Sequence, residues 1–412
     1  MHKIESTATL KAIMGEYFRS LGSGEKKIAW CTSVGPAELL RAAGFEVYFP
    51  ENHGALLGAT RAAMDHIPEA VKCGYSGHVC SYTTSDIGAY LRKETPLQDH
   101  YGLQGIPKPD LIVYNTNQCR EVQDWFGFFA REFKCPIAGV HPPRHLEEVT
   151  DAEVALVVKQ FKDLVPICTA ITGQAWDEER FKEVVKLSKE ATLLWQRVLK
   201  TAASDTPPIS FFDGTIHMGP IVVLRGTEVA KAYYAQLLQE LEGKIAQGQG
   251  FLPKVRSRIF WEGMPIWGKI RMLSDLFCEN GAAVVASTYC SSWVFDQFDE
   301  ADPWTSTARA YTGIFINRGE GAKMKMLAEW FGEYGIDGIV YHDSKTCFNN
   351  SNAKMGMPER LKAITGVPSL IIEGDLCDLR FFSEGQSITK IETFLEQLAE
   401  SPAVHGRKRT VQ

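Results

Sequence analysis

Apolar residues in the first part of the chain come in short runs broken by polar turns, and their order predicts alternating strands and helices. After a short N-terminal helix, KIAWCTS (residues 27–33) reads as a strand emptying into a polar turn. Residues 36–43 then read as a helix and EVYFPEN (46–52) as a second strand. Strand, helix, strand is a βαβ unit, which implies a parallel sheet. Residues 111–114 form a further buried strand, 121–133 an amphipathic helix, and CPIAGV (135–140) the next strand. Together they predict a doubly wound α/β lobe over residues 1–149.

From Thr150 the period lengthens to that of helices. Thr150 and Glu153 have the spacing of a capping box, and Asp177 precedes a segment whose Phe181, Val184, Val185, Ala191, Leu194 and Trp195 recur at helical spacing. A third helix covers 228–245 and ends in AQGQG (246–250). Residues 150–250 therefore read as a helical connector. Alternation returns in residues 251–412, with strands at 258–263, 282–287, 338–342 and 369–375 and helices at 269–280, 321–334, 358–365 and 388–398. The predicted fold class is α/β: two doubly wound parallel-sheet lobes joined by the connector, with an active-site cleft between them.

The chain has 412 residues and a formal net charge of −6, and its one basic run is Arg407, Lys408 and Arg409 near the end. That balance gives no footprint for nucleic acid. No apolar stretch reaches the roughly 18 residues of a membrane span, and MHKIESTATLKAIM lacks the apolar core of a signal peptide. Ten cysteines without short regular spacing do not read as a disulfide framework. The expectation is a cytoplasmic protein with reduced thiols.

Three of those cysteines lie where strands or small-residue segments would open into loops: Cys80 in GYSGHVCSYTTSDIG (74–88), Cys119 closing DLIVYNTNQC, and Cys347 closing DGIVYHDSKTC. No two form a CxxC pair. Loops beyond strand ends converge in open α/β sheets, so distant thiolates there can share one metal cluster, and three thiolates fit a [4Fe-4S] cube with one iron left open. A buried cysteine acting as a small hydrophobe is the competing explanation for each taken alone.

The segments WCTSVGPAELL (30–40), YFPEN (48–52), CGYSGHVCSYTTSDIG, YNTNQC, WEGMPIW (261–267), YHDSKTC and EGDLCDLRFFSEGQ (373–386) resemble the 2-hydroxyacyl-CoA dehydratase and benzoyl-CoA reductase superfamily over nearly the whole chain. The resemblance implies a [4Fe-4S] cluster on Cys80, Cys119 and Cys347, an acyl-CoA substrate, a homologous second subunit in a heterodimer, and a separate ATP-dependent iron-sulfur activator that injects one electron. It also implies an active-site serine and glutamate, matching Ser33 and Glu51.

The chemistry suits those residues. The β-hydrogen of a 2-hydroxyacyl thioester is hardly acidic and its α-hydroxyl leaves poorly. One added electron makes a ketyl radical anion that can expel hydroxide. A carboxylate such as Glu51 would move the proton, Ser33 would donate to the developing oxyanion, and an open iron would act as Lewis acid. The leading expectation is an oxygen-sensitive radical lyase acting on an (R)-2-hydroxyacyl-CoA.

Three alternatives stand beside it. LRGTEVAKAYYAQLL (224–238) and ENGAAVVASTY (279–289) lean towards a benzoyl-CoA reductase-type oxidoreductase. A non-catalytic electron-relay subunit is a further possibility. So is a double-cubane reductase, for which Cys31 and Cys290 would be extra ligands and against which Ile316 and Asn317 count. Cys73, Cys135, Cys168, Cys278 and Cys377 are expected to pack as small hydrophobes, and His342 either tunes the cluster or caps a strand.

Overall fold

The computed structural model describes residues 4–400, so the basic run at Arg407, Lys408 and Arg409 lies outside the described residues. Among the described residues, eight strands form two wholly parallel sheets. The first contains β1 (Ile28–Cys31), β2 (Glu46–Tyr48), β3 (Leu111–Asn115) and β4 (Ile137–Val140) in the order β2-β1-β3-β4. The second contains β5 (Ser257–Glu262), β6 (Ala282–Ser287), β7 (Gly338–Ser344) and β8 (Ser369–Gly374) in the order β6-β5-β7-β8. Every residue of β3, β5 and β6 is buried, so β3 and β6 read as nearly continuous apolar runs without alternation, while β5 also buries Arg258 and Glu262.

The two sheets share one winding. In each, the strand order reverses between the first and third strand, β1 and β3 or β5 and β7, and a crevice opens beyond the carboxyl ends at such a reversal. Ser33 and Cys119 follow β1 and β3. Cys347 follows β7. The topology thus aims one reversal point of each lobe at the space between them.

Helices Asp151–Thr172, Glu178–Lys200 and Glu228–Ala246 separate the two sheets in sequence. The Thr150–Glu153 capping box is closed in both directions, and Asp177 accepts from the Arg180 N–H at 3.1 Å. Helix Glu178–Lys200 touches both lobes: Ser188 donates to Glu38 at 2.7 Å, and the Thr192 hydroxyl donates to the Trp293 carbonyl at 3.3 Å while accepting from the Phe295 N–H at 2.8 Å. Direct ties also join the lobes. Asn117 Nδ2 donates to the Val34 and Tyr311 carbonyls, and Arg61 Nε to the Gly268 carbonyl at 3.1 Å. No helix among the described residues is long and apolar enough to cross a membrane.

Two local expectations differ from the structure. EVYFPEN is not one strand: β2 stops at Tyr48 and a helix, Pro50–Ala59, begins at once, placing Glu51 in its first turn. Proline supplies the preset φ of a first helical position and needs no N–H partner there, so Pro50 starts a helix directly after the strand formers Val47 and Tyr48. Cys80 likewise follows no strand. It precedes the helix Ser81–Arg92 as its N-cap residue, and Ser81, Thr83 and Thr84 in its first turn obscure the helical period.

Helix Ser81–Arg92 crosses Ala63–Lys72 so closely that a Cβ on Gly88 would run into the His66 carbonyl. Gly88→Ala should therefore push the two helices apart and lower unfolding stability by about 1–3 kcal/mol. A denaturation midpoint equal to that of the parent would show that the crossing yields freely.

Candidate active site

A cavity of about 600 Å³ lies between the lobes, and Ser33, Glu51, Cys80, Cys119 and Cys347 all line it. The structure therefore brings together all five residues singled out from the sequence. Cys31 and Cys290 do not line the cavity: Cys31 is wholly buried in β1 and Cys290 is buried in the second lobe. His342 is inside β7 and not at its end, buried, with its Nδ1–H donating to the Met264 carbonyl at 2.6 Å. It neither caps the strand nor lines the cavity.

Glu51 sits on the wall in a fixed pose. Its Oε2 accepts from the Ser33 backbone N–H at 2.6 Å, and its Oε1 accepts from the Gln118 side-chain amide. Burial pushes its carboxyl above the ordinary range, while the donors Gln118 and Ser33 and the more distant charge of Arg225 pull it back. Arg225 is itself engaged elsewhere: it pairs with Glu38 at 3.2 Å and donates to Tyr311 Oη and to the Val222 and Gly35 carbonyls. Its charge reaches the site through the fold, since it does not line the cavity.

The three cysteines each stand at the mouth of a helical turn, ahead of Ser81–Arg92, Glu121–Phe133 and Phe348–Asn350. Burial raises all three thiols. Cys80 is raised further by Cys347, Glu121 and Cys119, and Cys347 by Cys119 and Asp375. Cys119 is pushed up to about 12 by burial, with the Val122 N–H opposing. The N–H of Thr83 and that of Asn350 oppose in the same way at Cys80 and Cys347, so each sulfur faces the N–H three residues ahead.

Such a site resists three negative sulfurs unless positive charge joins them. Among the described residues, no group of three or more His, Cys, Asp or Glu side chains is arranged to hold a single metal ion. A cluster asks for something different, since each cysteine binds its own iron and the sulfurs stand wider apart. Three half-buried thiols from three separate loops, whose charged forms oppose one another, fit that demand.

The rest of the lining divides by place. Buried Val34, Trp125, Met218, Val222, Trp293 and Ile314 give an apolar interior, while the cations Lys11, Arg61 and Arg271 are exposed at the mouth. Sequence reasoning missed Gln118, although it lies beside Cys119 in a segment already singled out, because an amide next to a metal-binding candidate carries no signal of its own. It also missed Arg225, whose partners Tyr311 and Gly35 lie 86 and 190 residues away along the chain, and Asp375, a buried acid just past β8.

Comparison with known proteins covers most of the chain. The family model for 2-hydroxyglutaryl-CoA dehydratase, D-component, matches residues 32–398. A benzoyl-CoA reductase subunit of Thauera aromatica is 29% identical over 405 residues, covering 94% of this chain and 92% of that protein. The (R)-phenyllactyl-CoA dehydratase alpha subunit of Clostridium sporogenes is 28% identical, covering 89% and 88%. The (R)-2-hydroxyisocaproyl-CoA dehydratase alpha subunit of Clostridioides difficile is 27% identical, covering 97% of each.

Proposed function

The chain belongs to the 2-hydroxyglutaryl-CoA dehydratase D-component family, and from that membership we propose that it is the substrate-bearing subunit of an enzyme dehydrating a 2-hydroxyacyl-CoA with a bulky apolar acyl group. It is a dehydratase- or reductase-type enzyme subunit, as its relatives are. The observation that carries the finer reading is the cavity that joins a held carboxylate, Glu51, to the three thiols within one largely apolar lining.

When bound, a [4Fe-4S] cluster on Cys80, Cys119 and Cys347 supplies one electron at low potential beside the thioester. The chain's own residues do the rest. Glu51 would accept a proton from the substrate and return it to the departing hydroxide, so that one water leaves and the overall reaction has no net redox change. Its raised pKa moves it towards the operating pH, where a proton is both taken and released readily. Ser33 holds Glu51 through its N–H, and its hydroxyl, which also faces that carboxylate, would turn to donate to the carbonyl oxygen. Trp125, Val222 and Ile314 exclude water from the acyl chain, and Lys11, Arg61 and Arg271 suit the phosphates of the CoA arm.

A terminal carboxylate on the acyl group would need a cation in the interior. Arg225, the buried cation that acts on Glu51, is paired with Glu38 and does not line the cavity. That favours an apolar acyl chain over a dicarboxylic one. The enzyme would work as a heterodimer with a homologous subunit, served by an ATP-dependent iron-sulfur activator.

Anaerobic assay of the purified complex with its activator against a panel of CoA thioesters tests the reading. Phenyllactyl- or 2-hydroxyisocaproyl-CoA should be dehydrated faster than 2-hydroxyglutaryl-CoA. Reduction of benzoyl-CoA would establish the reductase reading, which the 29% identity to a benzoyl-CoA reductase subunit and the aromatic lining by Trp125 and Trp293 support. Turnover of no thioester by a fully loaded complex would leave the electron-relay reading. About eight irons per chain in place of four would indicate a double cubane.

A further inference from the structure

Asp375 follows β8 and is fully buried, yet both its oxygens are crowded with donors. Oδ1 accepts from Ser81 Oγ at 2.5 Å and from the N–H groups of Cys377 at 3.1 Å and Asp378 at 3.0 Å. Oδ2 accepts from Thr346 Oγ1 at 2.6 Å, the Thr346 N–H at 2.9 Å and Ser344 Oγ at 3.1 Å. The Ser81 N–H in turn donates to Thr346 Oγ1 at 3.0 Å.

Ser81 is the residue after Cys80, in the first lobe. Thr346 is the residue before Cys347, in the second. One carboxylate therefore grips the immediate neighbour of a thiol in each lobe, and the bridge from Ser81 through Asp375 to Thr346 sets how far apart the two loops stand. A carboxylate offers about four lone-pair directions, so donors around both oxygens leave it no freedom to swing. Burying a charge for structural cohesion alone is costly, and an apolar contact would join the lobes more cheaply. The charge is also held one residue from Cys347, on the N–H and hydroxyl of Thr346, where it opposes further negative charge.

Resting on the reading of Cys80, Cys119 and Cys347 as cluster ligands, we propose that Asp375 is the positioning residue of that cluster: it fixes the Cys80 and Cys347 sulfurs at the separation the cluster requires, and its negative charge holds the cluster's potential low. It does not line the cavity and moves no proton. An asparagine in its place would turn an NH₂ group towards either the Thr346 N–H or the N–H groups of Cys377 and Asp378, breaking the grip on one side and removing the charge.

The test uses the full-length chain reconstituted anaerobically with iron and sulfide. Iron release to a chelator and an EPR-monitored redox titration are read for the parent, Asp375→Asn and Ser81→Ala, with thermal unfolding of each cluster-free protein alongside. Asp375→Asn should release iron about 10-fold to 100-fold faster, the range over which outer-shell partners tune metal sites, and its cluster should titrate at a less negative potential. Ser81→Ala keeps the charge and loosens only the Cys80 side, so iron release should rise about 3-fold to 10-fold with the potential unchanged.

Parent-like release and potential in Asp375→Asn would overturn the proposal. So would loss of iron in both variants matched by an equal loss of cluster-free stability, which marks a purely structural residue. If Asp375→Asn fails to fold, Ser81→Ala decides: a parent-like release rate rejects the positioning role. Cys80→Ala, Cys119→Ala and Cys347→Ala run in parallel separate the two levels. Iron retained in those three removes the ligand reading itself, whereas iron lost there and kept in Asp375→Asn removes only the role of Asp375.

Discussion

Alanine at Cys80, Cys119 or Cys347 should leave a chain that reconstitutes with fewer than the about four irons of the parent and a complex that no longer turns over. Each thiol sits on a different loop, and each would anchor a separate iron, so no neighbouring donor can take the place of the missing one. The sulfurs face backbone N–H groups of Thr83, Val122 and Asn350 and are otherwise surrounded by groups that oppose negative charge. Removing one sulfur therefore leaves two thiols that burial keeps protonated. Cys135→Ala and Cys278→Ala, half-buried cysteines that do not line the cavity, should keep full iron and activity. Iron assay with the visible and EPR spectra of all five variants gives the answer. Parent-level iron in the three cavity variants would falsify the ligand assignment, and loss of iron in the two controls would mean that cysteine removal acts through folding.

The two parallel sheets were legible in the chain because several of their strands, the edge strand β6 among them, are buried on both faces. Runs such as Leu111–Asn115 and Ala282–Ser287 need no alternation and stand out against charged helices. The long helices between the sheets were legible for a different reason: Thr150, Glu153 and Asp177 mark helix starts through short-range hydrogen bonds that do not depend on the rest of the fold. The segment 50–101 was not legible. Its helices are short, Pro68 lies inside one of them, and serines and threonines fill the first turn of another. Local propensity there is weak, and packing against neighbours decides the outcome.

The site shows the same division. Cysteine, serine and glutamate announce chemistry by residue type, so Cys80, Cys119, Cys347, Ser33 and Glu51 could be picked out along the chain before any contact was known. What holds them cannot be picked out. Gln118 acts on Glu51 across 67 residues and Asp375 on Ser81 across 294, and neither has a residue type that distinguishes it from the solvated amides and acids elsewhere. Sequence separation alone hides the supporting groups, because they meet only once distant segments have folded together, within the first lobe for Gln118 and across the two lobes for Asp375.

Glu51→Gln should lower turnover about 10²-fold or more with the iron content unchanged. Glutamine keeps the shape and can still accept from the Ser33 N–H, and the Gln118 amide can turn to present its oxygen, so the wall of the cavity survives while the proton acceptor is gone. Ser33→Ala should cost roughly 10-fold to 10³-fold, one donor being lost. The pH dependence separates a working base from a structural carboxylate. Burial raises the folded pKa of Glu51 above its unfolded value of about 4.3. The stability gained from the protonated form is therefore present below that unfolded value and is lost as pH rises through the folded pKa. At pH 8 the parent carries a buried charge at some cost to its fold, and Glu51→Gln should unfold at a higher denaturant concentration than the parent, with the gain shrinking as the pH is lowered towards 4. Activity of the parent should fall on acidification at a higher pH than an exposed glutamate would give, since the base is already protonated there. Normal turnover in Glu51→Gln would rule out proton transfer by this residue. Reduced turnover with no stability gain at pH 8 would mean that the carboxylate is not held charged at a cost, and the pH profile would then have to come from another group.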